Sequence, residues 1–223
     1  MRVIQLLILG LLTSFFLLTY ATDNNSVDYS NGYAAPSSYE PTYPWGIAFS
    51  RGYITTNNLE DVLAFQYQPN GTGLYALDLS YQPGPDHWYQ YLSSGFGAQV
   101  EFTANFTDLM DPSGSDILQF NPYFAFRWKN FPWNSYLVTT VAAGEGVSFS
   151  SDVPTVEKVN TSTNFLNYLT FEITFSLPNT PQWQVIYKVY HRSGMWGLFY
   201  PWDGHAVGSN AFGFGIRYLF MVP

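Results

Sequence analysis

Ala98-Gln99-Val100-Glu101-Phe102-Thr103-Ala104-Asn105-Phe106 puts Ala, Val, Phe, Ala and Phe on even positions and Gln, Glu, Thr and Asn on odd ones, without an exception. Successive side chains of a strand point to opposite faces, so this alternation predicts a strand with one apolar and one polar face. Leu169 to Leu177 repeats the pattern, with Leu169, Phe171, Ile173, Phe175 and Leu177 set against Thr170, Glu172, Thr174 and Ser176. Leu74–Gln82, Leu118–Lys129 and Phe212–Phe220 alternate in the same way, and adding 61–69, 135–149 and 182–193 gives eight strands. An even number of strands of roughly 9 to 11 residues or more predicts an all-β, eight-stranded antiparallel transmembrane β-barrel. A secreted β-sandwich also alternates and is the rival fold. Trp45 to Ile54 is strand-like too, but would be a ninth. It is assigned to a pre-barrel segment, 45–60, with the barrel running over 61–223.

With both barrel ends placed on the periplasmic side, the connections at 130–134 and 178–181 are periplasmic and short, while those at 107–116, 150–163 and 194–209 are external and longer. The connection at 83–92 is the exception, being periplasmic yet long. Trp128, Phe131, Trp133 and Tyr136 then mark one interface, and Trp196, Phe199, Tyr200 and Trp202 the other. The inward parity carries Asp78, Glu101 and Glu172 against Arg127, Lys188 and Arg217. An eight-stranded interior is only wide enough for side chains to fill it, so a paired polar core is expected and a porin channel is not.

Composition narrows the function classes. Of the 223 residues 20% are aromatic and 11% charged, which is unlike a disordered chain. The formal net charge of −8 gives no basic footprint for phosphates, so no nucleic-acid partner is expected. The absence of cysteine removes disulfides, thiol nucleophiles and cysteine-ligated metals. Residues 1–21, with an apolar run from Val3 to Leu18 before Thr19-Tyr20-Ala21, predict a secretory signal peptide, a retained anchor being the alternative. Residues 22–44, rich in Asn, Ser, Tyr and Pro, are expected to form a flexible leader.

Parity also isolates candidates for chemistry. On the seventh strand Trp183, Val185, Tyr187 and Val189 form the outward apolar set, and the same parity carries His191 and Ser193. Asn210 shares parity with Phe212 and Phe214 and begins the eighth strand at the same height. Polar groups aimed at lipid are costly. They fit either headgroup-level residues or a serine hydrolase in which imidazole activates the hydroxyl. His191, His205 and Asp203 lack the framing residues of a metal site, so no metal or cofactor is expected. Four Asn-x-Ser/Thr sequons occur, at Asn24, Asn70, Asn105 and Asn160, and the position of Asn105 inside the cleanest strand argues that they are chance.

Tyr190-His191-Arg192-Ser193-Gly194, then Gly208-Ser209-Asn210 and Gly213-Phe214-Gly215-Ile216-Arg217-Tyr218-Leu219-Phe220, resembles the C-terminal signature of the lipid A 3-O-deacylase, or acyloxyacyl-hydrolase-like, outer-membrane barrels. The resemblance implies a bacterial outer-membrane enzyme acting on lipid A or lipopolysaccharide, with His191 as general base and Ser193 as nucleophile. It also implies an acid on the eighth strand, where this chain has Phe212 and Phe214. Asp203 and Glu145 are candidate substitutes, readable otherwise as a turn residue and a headgroup-level carboxylate, Glu145 lying two strands from His191, and nearby backbone groups or Asn210 would steady the oxyanion. The alternative is a non-catalytic barrel with a structural or lipopolysaccharide-binding role.

Overall fold

A computed structural model describes residues 43–84, 87, 97–158, 162–194 and 208–221. The expected signal peptide, most of the leader, Asp203, His205, the aromatic cluster at 196–202 and the Asn24 and Asn160 sequons lie outside the described residues. Eight antiparallel strands close into a barrel in which each pairs with its sequence neighbours and the first with the last. They are β1 (Trp45–Thr55), β2 (Pro69–Tyr81), β3 (Ala98–Met110), β4 (Asp116–Trp128), β5 (Val138–Ser150), β6 (Phe165–Ser176), β7 (Trp183–Ser193) and β8 (Gly208–Phe220). Among the described residues, two short helices sit in connections, α1 (Leu59–Leu63) and α2 (Thr155–Lys158).

The first strand corrects the sequence reading. The expected strand over 61–69 is instead α1 and a turn, and Trp45–Thr55, set aside as a pre-barrel segment, is β1. It closes the barrel by pairing Trp45 with both Tyr81 and Phe220. The physical reason lies in the residues. Leu59, Val62 and Leu63 recur at helical spacing, which a strand would split between faces. In β1, Gly46, Ala48, Ser50 and Gly52 alternate with Ile47, Phe49, Arg51 and Tyr53, so the inward set is small rather than polar. Small residues are needed there because large lumen groups lie against them. The Ser50 hydroxyl is 2.6 Å from Tyr190 Oη, and a Cβ on Gly46 would meet Ser80 and Arg217.

The outward face is an apolar belt, with Phe49, Phe106, Leu118, Val185 and Phe214 all exposed. Aromatic side chains gather at the rim that holds the start of β1 and the end of β8. Trp45 packs on Tyr81 at 4.7 Å and Trp183 on Tyr218 at 4.6 Å, joining the expected Trp128 and Trp133.

Inside, the expected charges meet. Arg127 grips Glu101 in a fork at 2.8 and 2.9 Å and donates to Glu172 at 2.7 Å. Arg217 donates to Glu101 at 2.7 Å, and Lys188 to Asp78 at 2.7 Å and Tyr123 at 2.9 Å. Tyr123, Tyr168 and Tyr190 are buried beside them. Desolvated ions survive only when paired, and here three carboxylates face three cations in one connected network. Asn105 is buried in the lumen and donates to Asp78 at 2.8 Å, a position closed to modification.

The opposite rim, called the outer rim below, carries two further devices. The 151–158 part of the connection after β5 folds inward, so that Val156 of α2 packs on the cluster formed by Ile54, Leu74, Leu109 and Ile117. The 56–68 connection folds outward and forms a strap against the wall of β7 and β8. Val62 is buried against Val189 and Phe212, and Tyr67 stacks on Phe212 at 3.9 Å. Val189 and Phe212 are thereby 1% and 6% exposed, while Val185 and Phe214, of the same parity nearer the other rim, are 59% and 53% exposed.

Candidate active site

His191 and Ser193 stand at the outer end of β7 with the side-chain parity of Val185 and Trp183, and both are half-buried. The register sets Asn210 directly opposite His191 and Gly208 opposite Ser193. Gly208 has φ +103°, and a Cβ there would lie 1.9 Å from the Arg192 carbonyl oxygen. Only glycine allows β8 to approach β7 so closely at this rung.

Two hydrogen-bonded arms meet at this corner. In the first, Asn210 Nδ2 donates to the Asn57 carbonyl of the strap at 2.9 Å, and Asn210 Oδ1 lies 2.6 Å from His191 Nδ1. An amide nitrogen can only donate and a carbonyl oxygen can only accept, so the Asn57 contact settles which end of the amide faces the ring. Nδ1 must then carry the proton, and Nε2 holds the free lone pair.

In the second arm, Asn167 of β6 donates through Nδ2 to Glu145 Oε1 and to the Gly146 carbonyl at 3.2 Å. The same logic turns its Oδ1 toward β7, where the Ser193 hydroxyl donates to it over 3.4 Å. The Ser193 proton thus points to Asn167 and not to the imidazole. Asn167 was missed in the sequence because the sixth strand was started at Leu169, two residues too late to include it. Extending the odd parity of Phe171 and Leu169 back by one step would have found it.

Each remaining candidate has a definite place. Glu145 is two strands from His191, as expected, with Leu169 paired between them. Its carboxylate reaches Asn167, so it joins the Ser193 arm and does not orient His191. Phe212 and Phe214 pair with Val189 and Tyr187 below the site and supply no acid. Among the described residues, the side chain that contacts the His191 ring nitrogen is the neutral Asn210. On the other side of the sheet, Arg192 points into the barrel between the two outward residues and meets Glu157 at 2.7 Å.

The geometry defines a closed, eight-stranded antiparallel barrel with a polar His/Ser/Asn corner on an otherwise apolar outer wall. No family model matches the chain, and no curated protein matches it. Among solved structures it is similar to the outer membrane enzyme PagL, at 14% identity and a TM-score of 0.47, over 79% of this chain and 99% of that one. It is also similar to Neisserial surface protein A, at 11% identity and a TM-score of 0.44, over 79% of this chain and 97% of that one.

Proposed function

We propose that the chain is a bacterial outer-membrane barrel that hydrolyses an ester-linked acyl chain of lipid A in the outer leaflet. The observation that carries this reading is the Asn57–Asn210–His191 arm, which leaves His191 Nε2 unprotonated on the same face of β7 as Ser193, at the rim of an apolar wall. An acyl chain lying along that wall would bring its ester to this height. The Ser193 hydroxyl turns from Asn167, gives its proton to His191 Nε2 and attacks the acyl carbonyl carbon through Oγ. The bond from that carbon to the sugar oxygen breaks, and the leaving oxygen takes the proton from His191. Water then repeats the sequence, with His191 again as base, and releases the fatty acid.

In this scheme Asn210 is a positioning residue and not the oxyanion donor anticipated from sequence, because its amide is engaged on both ends. A neutral amide orients the ring but supports the imidazolium less than a carboxylate would. Lipid A from cells carrying the wild type should lack an acyl chain by mass spectrometry, and Ser193→Ala should restore it. Identical lipid A in both strains would refute the esterase.

A second reading, a non-catalytic barrel that binds lipopolysaccharide or serves a structural role, is favoured by the Ser193 proton being directed at Asn167. It predicts the same lipid A in both strains together with retained binding of lipopolysaccharide by Ser193→Ala.

A further inference from the structure

We propose that Glu157, inside the barrel, is the positioning residue that holds the outer-wall site in register. The proposal rests on the reading of His191 and Ser193 given above, but its geometry stands apart from it. Glu157 belongs to α2 in the 151–164 connection and is fully buried. Both of its carboxylate oxygens accept from Arg192 Nη1, at 2.7 and 2.8 Å, and Oε1 also accepts from Ser209 Oγ at 2.6 Å. Ser162 Oγ donates to Oε2 at 2.9 Å, and Arg192 Nε donates to Ser148 of β5 at 2.9 Å.

Arg192 and Ser209 are cross-strand partners, flanked by the pairs His191–Asn210 and Ser193–Gly208. One carboxylate therefore bridges the rung that lies between the two outward rungs of the site. The need for such a bridge follows from where the site sits. These are the last paired residues before the 194–207 connection, and strand ends open most easily. A slip of one residue there would turn His191 into the lumen and Arg192 onto the wall, because side chains alternate with period two.

The Arg192 charge resists that slip. Inside, it is paired with Glu157; turned outward, it would lose that partner and leave the Glu157 carboxylate buried and uncompensated. A buried ion pair is weak evidence for net stability, since desolvation offsets much of the attraction, and its attested use is to specify register. The chemistry outside the barrel is thus held by a contact inside it.

The test compares wild type, Glu157→Gln and Ser209→Ala as full chains in lipid nanodiscs. Three measurements are made: the kcat and KM for lipid A acyl release, the unfolding midpoint, and the 15N imidazole spectrum of His191, assigned with His191→Gln. Wild type should show the single tautomer protonated on Nδ1. Glu157→Gln is expected to lower kcat at least about tenfold, the cost expected of a misplaced base, with KM unchanged, and to average the His191 tautomers. Ser209→Ala, which removes one bond, should shift both in the same direction by less. A folded Glu157→Gln with a wild-type His191 spectrum and wild-type kcat overturns the proposal. If Glu157→Gln does not fold, Ser209→Ala decides on the same criteria. If wild type releases no acyl chain, the esterase reading fails, and the clamp stands or falls on the His191 spectrum alone.

Discussion

The lumen and the outer-wall corner are both polar groups set in apolar surroundings, and they solve that problem in different ways. The lumen uses full charges: Glu101, Glu172 and Asp78 against Arg127, Arg217 and Lys188, each carboxylate ion-paired with at least one cation. Next to His191 and Ser193 the wall uses amides, with Asn210 and Asn167 each turned by a donor contact so that their oxygens face those residues, and the Glu145 carboxylate stands one step back, on Asn167. A lumen charge is surrounded by protein on every side and can collect several partners. A wall residue has strands on one side only, so an ion there would lack partners over half its surroundings, and neutral groups cost less to place. The lumen is therefore a closed charge network in which losing one partner is costly, and the wall is built for directed hydrogen bonds at modest cost.

Breaking the lumen should give the largest effect on stability. Glu172→Ala leaves Arg127 and Lys188 short of a partner in a buried site, and a loss of about 3 to 5 kcal/mol is expected for removing one side of a buried pair. Urea unfolding in detergent, or the temperature at which the folded band shifts on a gel, measures it. His191→Ala tests the opposite region: under the proposed esterase reading turnover should fall roughly 10²- to 10⁴-fold, the usual contribution of a general base, while the unfolding midpoint stays near wild type. An unfolding midpoint lowered as much as that of Glu172→Ala would erase the contrast between the two regions.

Asn210→Ala should cost turnover about a hundredfold through loss of ring orientation, and the imidazole spectrum of His191 should show both tautomers. Asn210→Asp sharpens the comparison further. It keeps the acceptor and adds the charge that the lumen uses freely, so turnover should recover while the folded state loses stability in lipid. The smallest effect is expected at Asp111, in the turn between β3 and β4. Burial pushes its carboxyl up, but hydrogen bonds from Ser113 and from both the hydroxyl and backbone amide of Thr155 more than offset this and hold it well below the usual carboxylate range. A lowered folded pKa means that its contribution is present above the unfolded value of about 3.9 and is lost as pH falls below it. Acid titration should loosen the 151–164 connection in hydrogen exchange, and Asp111→Asn should show the same looseness at neutral pH.

Much of this was legible in the residues. Seven of the eight strands were anticipated, because an apolar/polar alternation has no other regular reading over nine or more residues. The remaining one was misplaced: Trp45–Ile54 looked strand-like, but 61–69 had already filled the count of eight, so the true first strand was set aside as a ninth. The co-facing of His191, Ser193 and Asn210 was legible as well, being a matter of parity along two strands. Their partners were not. Glu145 engages Asn167, and Asn57 engages Asn210, through contacts between residues 22 and 153 positions apart.

By itself, then, the sequence determined the period of each strand, which residues face inward, and that the inward charges balance. Those are local properties, set by the two-residue repeat of an extended backbone. Only the tertiary structure decided which segment closes the barrel, that 56–68 lies against the outer wall, and that Glu157 reaches Arg192 from within. These depend on cross-strand register and on where long connections fold back, and neither is encoded in the alternation of any single strand.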